Sequence, residues 1–156
     1  MIRPARPGDA GAIAAIWNHV IRETTQTFTN AEKGTDALAA QIGAQPFLVA
    51  DETGEVRGFV TWSQFRTGPG YAFTAEHSVH VAGGERGRGL GRALMAAAED
   101  EARAAGLHSM IAGVAGENTG GAAFHAALGY RQIARLPEVG WKFGRWHDLV
   151  LMQKML

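Results

Sequence analysis

The chain has 156 residues, with fifteen Lys and Arg against fifteen Asp and Glu and no cysteine. That length fits one domain, residues 1–156, able to bury a core without metal or disulfide staples, and the missing cysteines exclude a thiolate metal site or a cysteine nucleophile. Balanced charge excludes a protein-wide field for nucleic acid or an anionic membrane, and no run of about 18 apolar residues or signal-like start appears, so a cytoplasmic protein is expected.

Residues 2–6 read as a first strand that stops at Pro7-Gly8. Asp9 is placed to cap a helix running to about Val20, with Ile13, Ile16, Trp17 and Val20 on one face. Residues 24–29 are polar and β-branched and read as a loop. Thr35 or Asp36 is placed to cap a second helix through Ile42. Residues 47–50 and 56–65, either side of Asp51-Glu52-Thr53-Gly54, read as a β-hairpin. Residues 74–81 alternate as a strand, with Val79 and Val81 on one side and Glu76, Ser78 and His80 on the other. A glycine and arginine loop over 83–89 then opens a helix at Leu90 that Gly106 stops. Residues 109–114 read as a strand. Asn118 or Thr119 caps a helix to Leu128, with Gly129 as its stop. Residues 130–136 and 148–156 read as closing strands, with 142–146 as the turn between them. The order implies a mixed α/β (α+β) fold around one central sheet.

The segment Arg86-Gly87-Arg88-Gly89-Leu90-Gly91-Arg92 carries the first chemical signal. Its glycines allow tight turns and close approach, and the first amides of the following helix lack internal partners. With the helix dipole and three arginines, this is a site for a diphosphate. The P-loop string is absent, and the spacing is G-x-G-x-G rather than the dinucleotide G-x-G-x-x-G. Glu76 is the second signal. A carboxylate on an interior strand is costly unless used or paired, and burial raises its pKa toward the range that suits a base. A structural Glu76–arginine pair is the plainer alternative.

The loop matches the R-x-x-G-x-G signature and resembles the GNAT superfamily of N-acetyltransferases. Glu76-His77-Ser78-Val79-His80-Val81, Ala126-Ala127-Leu128-Gly129-Tyr130 and Lys142-Phe143-Gly144-Arg145-Trp146-His147-Asp148 resemble its phosphinothricin and methionine sulfoximine acetyltransferase branch. Two departures stand out: Ala82-Gly83-Gly84 replaces a turn proline, and Gly120-Gly121 falls where small helix formers are usual. The resemblance implies a GNAT fold, with helices on both faces of a mixed sheet, and acetyl transfer from acetyl-CoA to a small amine. Adjacent His147 and Asp148 do not by themselves make a metal site, so no metal is expected. Glu76 would be the base, and His125, standing where a tyrosine is usual, the acid for the leaving thiolate or a cofactor contact. Arg86, Gly87, Arg88, Gly89, Gly91 and Arg92 would hold the cofactor's diphosphate, and Val79, Val81 and Asn118 its arm. Arg66 would clamp the acceptor's carboxylate, with Phe28 and Lys142 as weaker pocket candidates. His19, His77 and His108 have no convincing partner in sequence. The branch also implies a homodimer. Peptide or protein N-termini as acceptors, or a non-catalytic acetyl-CoA sensor, are the rival readings.

Overall fold

A computed structural model describes residues 1–156. In chain order the elements are β1 (Ile2–Pro4), α1 (Ala10–Glu23), α2 (Thr35–Ala44), β2 (Phe47–Glu52), β3 (Glu55–Gln64), β4 (Thr74–Val81), α3 (Leu90–Ala104), β5 (Ser109–Ala115), α4 (Thr119–Ala127), β6 (Arg131–Lys142) and β7 (Arg145–Met155). The strands form one seven-stranded sheet in the order β1-β2-β3-β4-β5-β7-β6. Only β4 and β5 run parallel, because α3 carries the chain across between them; the other neighbours are antiparallel.

Side-chain alternation along the strands feeds two cores. Phe47, Val49 and Phe59 face α1 and α2, where they bury Ile13, Ile16, Trp17, Ile21 and Leu38. Leu48, Val60, Trp62 and Ala75 face the opposite side, with Leu94, Met95 and Ala98 of α3. Helices therefore cover both faces, as the resemblance implied. The same parity splits β4. Val79 and Val81 pack toward the α3 core, whereas His80 lies among Trp17 and Phe59 on the α1 side.

Three local expectations change. Asp9 stands at the N-cap of α1 but makes no side-chain bond to that helix. Its carboxylate accepts instead from the Arg3 guanidinium at 2.8 and 3.0 Å and from the Arg6 amide at 2.7 Å. The cap of α2 is Gly34 rather than Thr35 or Asp36. The closing strands are longer than expected, and the turn between them shrinks to Phe143-Gly144, with φ of 53° and 70°. Irregular register at 132–134 and 136–140, with Glu138 at φ 50°, breaks the two-residue period of β6 and makes it read as loop.

Candidate active site

The parallel pairing of β4 and β5 covers only four residue pairs and ends at His77–Ala112. Beyond it β5 continues against β7, while β4 continues against β3 alone. The strands thus splay, leaving the Ser78–Val81 edge of β4 without a strand partner. Glu76 stands at the neck of this gap. Its Oε2 lies 3.2 Å from where a Cβ on Gly113 would be, so the missing side chain at 113 makes its room. No ion pair holds it, and burial alone raises its pKa above the ordinary carboxylate value. The structural alternative of a Glu76–arginine pair is not what the geometry shows.

The glycine and arginine loop leads from the β4 edge into α3. Gly87 and Gly89 have φ of 81° and 82°, a left-handed conformation that costs other residues roughly 1–2 kcal/mol. No backbone carbonyl accepts from the amides of Gly87, Gly89, Leu90, Gly91 or Arg92. Five free donors with exposed Arg86 and Arg92 beside them fit a diphosphate. Arg88 is drawn elsewhere: its guanidinium bonds Glu52 at 3.0 Å and pairs with Glu85. Gly91 has an ordinary helical place, and a Cβ there would meet the Phe124 ring at 3.2 Å. Its smallness serves α3–α4 packing. Asn118 caps α4 by accepting from the Gly121 amide at 2.9 Å, which leaves its amide group for a ligand. A Cβ at Gly121 would lie 2.5 Å from that amide nitrogen, so this glycine fits the cap.

His77 does have a partner, and it is His125. Their Nε2 atoms are 2.9 Å apart, and both side chains are buried. His125 Nδ1 lies 2.8 Å from the carbonyl of Gly121, which can only accept. The proton therefore sits on His125 Nδ1, its Nε2 accepts, and His77 donates from Nε2. Burial lowers the pKa of both rings, that of His77 to about 3, so the pair is neutral.

On the α1 side of β5, the acceptor candidates separate. Phe28 stacks on His147 with centroids 5.4 Å apart and fills the space a Cβ on Gly140 would need. Lys142 is only 4 % exposed, and its ammonium donates to the carbonyls of Thr24 at 2.6 Å and Thr27 at 2.8 Å. Arg66 stands exposed on the loop after β3, its guanidinium 5.8 Å from the Tyr71 ring centre, and does not join Phe28 and Lys142. His147 donates to the Lys142 carbonyl at 2.8 Å, and Asp148 binds Arg135 and the Glu138 amide. A solvent-open groove of about 540 Å³ is lined by Thr24, Thr25 and Gln26 of the α1–α2 loop together with Glu117, Asn118, Phe143 and Arg145.

A family model for the acetyltransferase (GNAT) family matches residues 13–130. The chain belongs to the GNAT acetyltransferase family. Among curated relatives, an L-methionine sulfoximine/L-methionine sulfone acetyltransferase of Salmonella typhimurium is 39% identical over 99% of this chain and 94% of its own. A phosphinothricin N-acetyltransferase of Streptomyces coelicolor is 36% identical over 99% and 95%. Of solved structures, a Salmonella typhimurium acetyltransferase with its cofactor acetyl-CoA superposes with a TM-score of 0.96 at 38% identity, covering 100% of this chain and 93% of that one. A ribosomal-protein-alanine N-acetyltransferase of Brucella melitensis reaches the same TM-score at 35% identity, over 100% and 99%. Within this GNAT frame the residues that sequence missed are His77, Gly113 and the Glu117–Arg145 pair at 3.0 Å. The parity of β4 places His77 toward α3, but nothing in sequence pairs it with a histidine 48 positions on.

Proposed function

We propose that this GNAT enzyme transfers the acetyl group of acetyl-CoA to the α-amino group of a small amino-acid-like acceptor, of the methionine sulfoximine, methionine sulfone or phosphinothricin kind. One observation carries the reading: an unpaired, partly buried carboxylate stands at the neck of the β4–β5 gap, whose open edge leads directly to the donor-rich loop. The names of the two curated relatives set the acceptor class.

Bound acetyl-CoA supplies the acetyl thioester. The free amides of the loop, with Arg86 and Arg92, hold its diphosphate, and the open edge at Val79 and Val81 receives its amide-bearing arm as an added strand. The Asn118 side-chain amide donates to the same arm. Glu76 takes the proton that the amine loses as its nitrogen bonds to the carbonyl carbon, directly or through one water. The Val79 amide donates to the carbonyl oxygen as it gains charge. The C–S electron pair leaves with sulfur, which is then protonated. His125 has both ring nitrogens engaged, by Gly121 and His77, which supports a positioning role for it. With its one proton on Nδ1, held by Gly121, it has none at Nε2 to give, so acting as the acid would require a proton at Nε2 first. Arg88 is a brace for the loop through Glu52 and Glu85. Arg66 is retained as carboxylate clamp, and Phe28 as a separate pocket wall. Trp141, Phe143 and Trp146 are each more than half exposed, an apolar surface that a second copy would cover in a homodimer.

The test is thiol release from acetyl-CoA over methionine sulfoximine, methionine sulfone, phosphinothricin, common amino acids and short peptides, for wild type and Glu76→Gln. The expected result is turnover on the sulfone and sulfoximine, with kcat falling about 10²–10⁴-fold in the variant. The likeness to the Brucella structure favours one rival, acetylation of a protein N-terminus. Turnover on alanyl peptides alone would establish it. Cofactor binding without turnover on any acceptor would leave an acetyl-CoA sensor.

A further inference from the structure

We infer that Lys142 is a positioning residue, whose buried ammonium pins the α1–α2 loop into the shape of an acceptor wall. The inference rests on the amino-acid acetyltransferase reading of the site and refines how its acceptor side is built.

The loop at 24–28 has no strand to bond with, and its carbonyls at Thr24 and Thr27 point inward. Both accept from the Lys142 ammonium, at 2.6 and 2.8 Å, and no carboxylate contributes to that contact. A charge sealed among neutral carbonyls loses hydration, and burial lowers the pKa of Lys142. Such a costly arrangement has an evident use here, since no other side chain bonds those carbonyls.

The surroundings sew the same loop to the β6–β7 hairpin at further points. Phe28 sits over Gly140, where a Cβ would lie 2.3 Å from its ring, and stacks on His147 from behind. His147 in turn donates to the carbonyl of Lys142 itself. Thr25 bonds Glu117, which Arg145 also holds. The pinned segment supplies Thr24, Thr25 and Gln26 to the lining of the 540 Å³ groove, which Asn118 at the start of α4 also lines. Lys142 thus fixes part of the lining of this groove by way of backbone it does not belong to.

The experiment compares Lys142→Met and Gly140→Ala with wild type. The second variant keeps the ammonium and unseats the loop by displacing Phe28. Each protein is assayed with methionine sulfone and with its carboxamide, and backbone hydrogen exchange is followed over residues 24–29. The expected result is a KM for both acceptors raised about tenfold or more in both variants, with KM for acetyl-CoA within about twofold of wild type. Exchange should quicken at 24–29 and stay protected in the sheet. A penalty in Lys142→Met confined to the carboxylate acceptor would overturn the inference in favour of direct contact with substrate. Unchanged exchange at 24–29 would overturn it as well. A wild-type enzyme inactive on every amino acid would defeat the proposed function, while the exchange comparison would still decide whether Lys142 pins the loop. Should Lys142→Met fail to fold, Lys142→Gln, which keeps a donor but removes the ammonium that reaches both carbonyls, carries the same comparison.

Discussion

Glu76, the proposed base, is distinguished by what is not beside it. It has no cationic partner, and Gly113 across the gap offers only a hydrogen where a methyl group would touch Oε2 at 3.2 Å. Gly113→Ala should therefore shift the carboxylate by a few tenths of an ångström and lower kcat about tenfold, with acetyl-CoA affinity unchanged, as steady-state kinetics and calorimetry would register. An unaltered kcat would mean that the reacting proton does not pass through Glu76 in this position. The neighbouring residue illustrates how far sequence reaches at this scale. Residue type and strand parity identify Glu76 as a carboxylate on an interior strand. They do not identify His77 as the donor to Nε2 of His125, because that bond joins β4 to α4 across the core.

At the level of elements, the loop between β4 and α3 separates two kinds of glycine that look alike in sequence. Gly89 is needed for its backbone, at φ 82°, and faces open space; Gly91 is needed for its size, against Phe124. Gly89→Ala should cost about 1–2 kcal/mol in denaturant unfolding and weaken acetyl-CoA binding together, because the strained turn aims the free amides. Gly91→Ala should instead loosen α4 against α3, lowering stability with a smaller loss of cofactor affinity. Equal affinity losses in the two variants, measured by calorimetry, would contradict this division. The strands show a parallel limit. The bounds of β4 are legible because its alternation is unbroken, whereas β6 conceals its length behind bulges at 132–134 and 136–140.

Across the whole molecule, three histidines sit in apolar surroundings that disfavour their charged form. Burial lowers the pKa of His77 to about 3 and of His80 to about 4, and also lowers that of His125. The unfolded chain takes up protons at these rings as pH falls through about 6.5, while the folded chain does not. Stability is therefore lost on acidification from about pH 6.5 toward the folded values, and none is lost from this source above neutrality. His77 alone should remove about 2 kcal/mol between pH 7 and pH 5, with the other two acting in the same direction. Unfolding midpoints over that range would check this, and His77→Gln should flatten the slope. A wild-type profile flat to pH 5 would show that these rings titrate freely in the folded protein.

By itself the sequence determined what is local and periodic: the strand and helix order, the glycine and arginine loop that opens α3, the carboxylate on β4 and, through its motifs, the acetyltransferase family. These follow from neighbouring residues, since glycine spacing, strand alternation and helix capping act over a few positions. Tertiary structure alone decided where β4 and β5 part, that Arg88 turns to Glu52, that His77 meets His125, and that Lys142 holds the carbonyls of Thr24 and Thr27. Each of those outcomes depends on groups distant in sequence competing for the same buried donor or acceptor, and the winner is set by which backbone the packed sheet brings within about 3 Å.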